Sequence, residues 1–525
     1  MVLLGDLSLV ATYSGSLLVT SILLFFGYRL LLHPLRSYPG PAIAKLSDAY
    51  SAYFSLRKNL HLVMQQDHQK YGSVMRYGPN KLLFNSARAV RDIYDNDDNV
   101  VKSHVYRATM QAPGVYNLFS VIDRPSHRLK RRIVGQAIND RSMRTFEPAM
   151  LEQIDLFLKI VFASSKDGKP INITDNVGFL ACDIIALLSL GFPLRLQTDL
   201  EHRWMVDGMF RANHLANVRM QQYRLHQFRV FSLLKYVTND MRERWKRLLE
   251  KMIVTRSSED KHIRHDLYSI ATEASSQGET IRMSEIWSEV IAFFPAGAFS
   301  TSAAICSLFF YLSRNGRCYQ KLIDELRSTF NSASDIRAGP QLSSCLYLRA
   351  CIDETMRISP PVPGTLWREA SPEIGNTPLV IDGYVVPAGT QIGVNMYTIH
   401  HNEDYFPDPY SFKPERWLAS ETPERERKIM NEAFSPFSIG DRGCAGKPMA
   451  YLESSLVIAK TMWYFDFKPA PGELGHIGGG SSEMGAGRDR IDEYQLYDVI
   501  AGQHDGPYLV FTPRGDVSGE LQGET

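Results

Sequence analysis

Phe437-Ser438-Ile439-Gly440-Asp441-Arg442-Gly443-Cys444-Ala445-Gly446 decides how this chain is read. Its glycines let the backbone turn tightly and come close to a flat surface. Among them stands one cysteine, Cys444. Backbone N–H groups in such a loop can point at the sulfur and tune its donor strength. Gly446, Lys447 and Pro448 open an apolar segment, residues 449–463, with helical spacing. A thiolate near a helix N-terminus is electrostatically favoured. Cys444 is therefore expected to be a metal ligand. Arg442 brings a cation within reach of an anionic group. Phe437 can pack on the face of a flat ligand or shield the sulfur.

A thiolate presented this way suits a haem iron, where it favours O–O cleavage. The loop resembles the cysteine-ligand loop of the cytochrome P450 family, with every position of F-x-x-G-x-R-x-C-x-G present. Working outward, Glu354 and Arg357 stand three apart and so share a helix face. Their apolar neighbours Leu348, Cys351, Ile352 and Met356 suggest burial, where an ion pair needs further partners. Pro414-Glu415-Arg416-Trp417 follows. The order E-x-x-R, P-E-R-aromatic, cysteine loop matches the family, which implies that Glu354, Arg357 and Arg416 lock the core behind the haem. His127 and Arg131 are four apart, again on one face. With Arg368 and Arg442 they resemble the family's propionate-holding positions. Arg128, Lys130 and Arg132 adjoin them and read as a basic surface that could steer an acidic reductase.

On the distal side, residues 286–312 form an apolar helix candidate interrupted at Phe294-Pro295-Ala296-Gly297. Proline removes a helix hydrogen bond, so a kink is expected there. The family's pattern at this point is A/G-G-x-D/E-T followed by Thr or Ser. This chain has Ala296-Gly297-Ala298-Phe299-Ser300-Thr301, with Phe299 where the acid usually stands. Ser300 and Thr301 are the expected catalytic residues, as a proton relay. A positioned acid contributes ~10²–10⁴-fold to rate, so its replacement must be offset by water, by these hydroxyls or by the substrate.

The chain has 525 residues, 44% of them hydrophobic, with 58 Lys and Arg against 57 Asp and Glu. The balance gives no argument for nucleic acid. Six scattered cysteines without a C-x-x-C pair indicate neither a disulfide framework nor a zinc site. Asn172-Ile173-Thr174 is a glycosylation sequon that would be idle on a cytosolic face. Residues 7–28 are uncharged and apolar. As a helix they would rise about 33 Å, enough to cross a bilayer core. Arg29, His33 and Arg36 follow and no Lys or Arg precedes, which places the C-terminal side in the cytosol. Residues 1–36 read as a membrane anchor and residues 37–525 as one catalytic domain, mainly α with small β-sheets. A hairpin is expected from residues 73–77 and 81–85 around Gly78-Pro79-Asn80, and a second small β region from residues 380–394. Residues 242–264 read as a solvated charged face, and the Gly-rich residues 475–487 as a flexible surface insertion.

The resemblance implies a cytochrome P450 fold holding haem b (iron protoporphyrin IX). It further implies a haem-thiolate monooxygenase taking electrons from NADPH through a separate cytochrome P450 reductase. Cys444 would be the proximal ligand, in a single-pass protein of the endoplasmic reticulum membrane acting as a single copy. Residues 106–119, 194–219, the distal helix and residues 362–366 would line the pocket; their apolar and aromatic content suggests an apolar or aromatic small-molecule substrate. Glu493-Tyr494-Gln495-Leu496-Tyr497 and Gly506-Pro507 resemble fungal benzoate-hydroxylase-like and secondary-metabolism members. Phenol coupling, an isomerase or dehydratase that needs no dioxygen, and a haem sensor are the alternative readings.

Overall fold

The computed structural model describes residues 2–227, 239–260, 263, 266–276, 282–375 and 377–521. Long helices dominate, as expected for the fold class. Asp140–Lys166, Ile173–Leu190, Ser300–Arg314, Leu346–Ile358 and Lys447–Tyr464 pack into one apolar core, where Phe157, Leu180, Ile305, Phe309 and Met462 are fully buried. Side chains set the helix starts. Asp123 accepts from the Ser126 N–H (2.9 Å) to open Arg124–Ala137. The Asn172 carboxamide accepts from the Thr174 N–H (2.9 Å) to open Ile173–Leu190. The sequon asparagine is thus a helix cap, a role these side chains favour.

Strands β1 (Val74–Gly78) and β2 (Lys81–Phe84) form the expected hairpin. β2 continues in parallel to β8 (Gln391–Val394). β8 pairs antiparallel with β5 (Arg368–Ala370), and β5 with β3 (Val100–Lys102). The sheet order is β1-β2-β8-β5-β3. The expected late β region therefore splits: β6 (Leu379–Ile381) and β7 (Tyr384–Val386) make a separate hairpin, while β8 belongs to the main sheet. Local turn signals could not show that β8 finds a partner some three hundred residues upstream. A third sheet joins β4 (Ile171–Asn172), β10 (Tyr508–Pro513) and β9 (Phe465–Pro469).

Two expectations change. Residues 475–487 keep an exposed stretch at 482–486, but parts of the segment are packed: the Gln495 N–H donates to the Gly478 carbonyl (2.8 Å) and the Ser481 N–H to that of Arg488 (2.9 Å). A Cβ on Gly480 would stand 2.3 Å from the Arg488 carbonyl oxygen. Glycine here permits close backbone approach rather than freedom. The charged stretch 242–264 is only partly a solvated face, and some of it lies outside the described residues. Within it Arg256 is fully buried, its Nε 2.6 Å from Asp266 Oδ2.

At the N-terminus, helix Val2–Gly27 runs into a π-helical turn, Tyr28–Leu32. Thr12–Leu32 has a hydropathy of 1.8 and none of it is buried, which makes it a candidate membrane span. Ile173–Leu190 and Met283–Arg314 are apolar enough as well, but most of each is buried inside the protein. The end of this apolar segment is tied to the β1–β2 turn. The buried Arg76 donates to the Arg29 carbonyl (2.7 Å), and His33 Nε2 meets Asn80 Oδ1 (2.8 Å).

Candidate active site

The cysteine loop links helix Glu424–Ala433 to helix Lys447–Tyr464. Nested turns shape it: the Cys444 N–H donates to the Phe437 carbonyl (2.8 Å) and the Gly443 N–H to that of Gly440 (2.9 Å). Gly440 has φ +70°, and a Cβ there would lie 2.3 Å from the Tyr94 carbonyl oxygen. Only glycine lets the loop lie against the end of helix Ala87–Tyr94. Cys444 is exposed, yet protein encloses it closely enough that burial pushes its thiol up; the Gly446 and Lys447 N–H groups and the Arg131 charge pull the other way. Cys444 is thus accessible although protein surrounds it. Metal coordination would reverse the shift, since a coordinating thiol is deprotonated outright. The Phe437 ring lies 5.2 Å from that of Tyr451.

The expected cations converge near this loop. Arg442 donates to the Val121 and Ile122 carbonyls (3.1 and 2.9 Å). Arg131 donates to the Gly443 carbonyl (2.5 Å), which braces the cysteine loop from the neighbouring helix. Arg368, buried in β5, lies 5.1 Å over the Tyr94 ring and donates to the Trp367 carbonyl (3.2 Å). His127 is buried, and its pKa falls to about 3, through burial first and then Arg442, Lys102, Arg131 and Arg368.

Lys102, which the sequence reading did not select, completes the set. It is buried at the end of β3, its Nζ 2.9 Å from the Leu118 and Phe119 carbonyls. Burial pushes its pKa far down, and Arg368, Arg442 and Arg131 add to this against the opposing pull of Glu289. Glu289 is itself engaged by Lys130 Nζ (3.3 Å) and the Leu118 N–H (2.9 Å). A buried excess of positive charge is costly without an anion. A haem, with two carboxylates on one edge and an iron for Cys444, fits this donor set. In the sequence Lys102 was only a lysine ending Asn99-Val100-Val101, a signal too common to single out. Lys130 departs from the expected basic surface: it is buried, paired with Glu285 and Glu289 at 3.3 Å each. Its helix turns that face inward, against Met283–Phe293.

The expected kink in the distal helix is a π-helical turn, Phe294–Phe299, between Met283–Phe293 and Ser300–Arg314. Ala296 is exposed and Ser300 partly so, one wide turn apart, while Phe294, Ala298 and Phe299 are buried. One face of the turn thus meets open space. Ser300 Oγ donates to the Ala296 carbonyl (2.5 Å), and Thr301 is buried. Phe299 stacks on Phe210 with centroids 3.9 Å apart and planes at 9°. A Cβ on Gly297 would meet Ile185 at 2.5 Å, so its lack of a side chain lets helix Ile173–Leu190 pack tightly on the turn.

Behind the site, Glu354 and Arg357 are wholly buried and bound through two 2.9 Å hydrogen bonds. Glu354 also accepts from Arg416 Nε, Trp417 Nε1 and the Lys413 N–H, each at 3.0 Å. Arg357 donates to the carbonyls of His400 and Pro409 (3.0 and 2.7 Å). The further partners that a buried pair requires are all in place.

The cytochrome P450 family model matches residues 49–476. Cytochrome P450 monooxygenase apf7 of Gibberella fujikuroi is 32% identical over 93% of this chain and 95% of its own. AKT7 of Alternaria alternata, also a cytochrome P450 monooxygenase, is 34% identical over 92% of this chain and 94% of its own. The cytochrome P450 monooxygenase poxM of Penicillium oxalicum is 32% identical over 96% of each chain.

Proposed function

The chain belongs to the cytochrome P450 family, whose monooxygenase members it resembles over nearly its whole length, and from that premise we propose that it oxidises an apolar or aromatic small molecule with Cys444 as the proximal haem ligand. One observation carries the reading: Cys444 is accessible in a loop braced by Arg131, and the cations Lys102, Arg368 and Arg442 gather near it. Bound there, haem b supplies the dioxygen activation needed to insert oxygen into the substrate. Lys102, His127, Arg131, Arg368 and Arg442 would hold its carboxylates. Arg131 keeps the Gly443 carbonyl in place, and the Gly446 and Lys447 N–H groups temper the sulfur. Phe437 shields the sulfur side. On the distal face, Ser300 gives its hydroxyl proton to the Ala296 carbonyl, which leaves its lone pairs free to accept from water. Phe299 has no exchangeable proton, so Ser300, Thr301 and water carry the proton traffic. NADPH-cytochrome P450 reductase supplies electrons to a single copy in the endoplasmic reticulum membrane, its globule in the cytosol. The fungal relatives support a place in secondary-metabolite biosynthesis.

The reduced CO spectrum tests this reading. Wild type is expected to show the thiolate-type band and Cys444→Ser to lose it; a retained band would move the ligand elsewhere. Ser300→Ala is expected to raise uncoupled peroxide release severalfold at unchanged haem content. Unchanged coupling in that variant removes Ser300 from the relay.

A further inference from the structure

Helix Trp204–Gln221 carries Asp207, Phe210, Arg211, His214, Asn217 and Gln221 at three- and four-residue steps, so they form one stripe. The first four of these face a cavity of about 280 Å³, closed on its other side by Lys58 and Gln503. Asp207 and Arg211 are exposed at its rim, and Lys58, Phe210, His214 and Gln503 are half-buried in its wall. Phe210 is the inner partition, because its ring is the one stacked on Phe299 of the distal helix.

The cavity has a particular chemistry. Lys58 stands at φ +57°, a left-handed conformation that non-glycine residues rarely adopt. Both ends of it are held: its carbonyl accepts from the Asp498 N–H (2.9 Å), and Nζ donates to Gln503 Oε1 (2.7 Å). Among the described residues neither Lys58 nor Arg211 has a carboxylate within ion-pairing distance, although Asp207 shares the wall. Burial pushes the Lys58 pKa down, and Arg211 adds to it. His214 is lowered by burial and by Lys58, with its Nε2 3.0 Å from the Ser55 carbonyl. Two cations against one carboxylate leave the wall one excess positive charge, which suits a monoanion better than a dianionic phosphate. The planar guanidinium of Arg211 matches a carboxylate fork.

We infer that this cavity docks the carboxylate end of the substrate, between Lys58 and Arg211, and that the apolar body passes Phe210 toward the distal helix. The substrate class is then an apolar or aromatic carboxylic acid, oxidised away from its acid group. This rests on the monooxygenase reading above, and the test separates the two.

The full-length haem protein, in detergent, is titrated with decanoic acid, 4-phenylbutyric acid and the methyl ester of each. Binding is read by equilibrium dialysis, and the reduced CO spectrum of every sample is recorded beside it. Each acid is expected to bind roughly tenfold tighter than its ester. Arg211→Met and Lys58→Met should each abolish that preference and leave the ester's affinity unchanged. Lys58→Arg should retain it, and Asp207→Asn should strengthen acid binding. Equal affinity for acid and ester, failure of both acids to bind, or an acid preference that survives Arg211→Met overturns the docking site. Arg211 is at the rim, so that variant remains informative if Lys58→Met fails to fold. Loss of the thiolate-type spectrum in wild type would instead overturn the haem-thiolate reading and leave the binding result to stand by itself.

Discussion

Lys102 shows how much one side chain can carry that its neighbours in sequence do not announce. It ends a three-residue strand, and its ammonium sits in a buried field made by Arg368, Arg442 and Arg131. Replacing it by methionine should lower haem retention several-fold while the apoprotein becomes no less stable, because the variant removes a buried unbalanced cation. Haem content and apoprotein thermal midpoint, measured together, check this; unchanged retention would detach Lys102 from the site. Glu453 raises a different issue. It is buried on helix Lys447–Tyr464 with Oε1 unpartnered, and burial alone pushes its carboxyl up to about 8. Unfolded, the group ionises near 4.5. Between these values the folded state binds the extra proton, so stability falls as pH rises from about 4.5 to 8, by up to about 1.4 kcal/mol per pH unit. Glu453→Gln should remove that slope, gaining on wild type between pH 5 and pH 8 in thermal denaturation. Parallel profiles would mean that the carboxylate is already accommodated as an ion. Spacing and resemblance marked His127, Arg131, Arg368 and Arg442 in the sequence; Lys102 had no such mark, being only a lysine after two valines.

Among the elements, the distal helix and the helix bearing Glu354 decide how the site is supported. Glu354 accepts from Arg357, Arg416, Trp417 and the Lys413 N–H. Glu354→Ala would leave two guanidiniums buried without their anion, at a cost of about 3–5 kcal/mol. Chemical denaturation should show that loss, and a cost below 1 kcal/mol would mean that water replaces the carboxylate. In the distal helix the sequence marked a break, and proline and glycine supplied the reason. Its form as a π-helical turn depended on packing, since Gly297 must admit Ile185. Gly297→Ala should therefore destabilise by about 1–3 kcal/mol through overpacking, and Ile185→Ala should relieve part of that in the double variant. Strict additivity would separate the two residues. The hairpin β1–β2 was legible from its turn, whereas β8 reached the main sheet through long-range pairing that no turn residue encodes.

At the scale of the molecule, an exposed apolar helical segment, Thr12–Leu32, precedes the globule. Deleting residues 2–27 should move the protein from the membrane pellet to the supernatant with an unchanged thermal midpoint, since Arg76 and His33 grip the chain only after that point. A lowered midpoint would make the helix part of the folded body. The charge stripe on helix Trp204–Gln221 belongs to this scale too: its cavity needs Lys58 and Gln503, hundreds of residues apart, on one wall. By itself the sequence determined the family, the cysteine loop, the Glu354–Arg357–Arg416 order and the apolar N-terminal stretch. Each of these is local, its chemistry written in residue type and short spacing. Tertiary structure alone decided that Lys102 joins the cationic cluster, that Lys130 is buried against two acids, that Gly478 to Gly480 pack closely on neighbouring backbone, and that Phe299 lies flat on Phe210. Those outcomes depend on which distant surfaces meet, because burial and electrostatic fields arise from neighbours in space rather than neighbours in the chain.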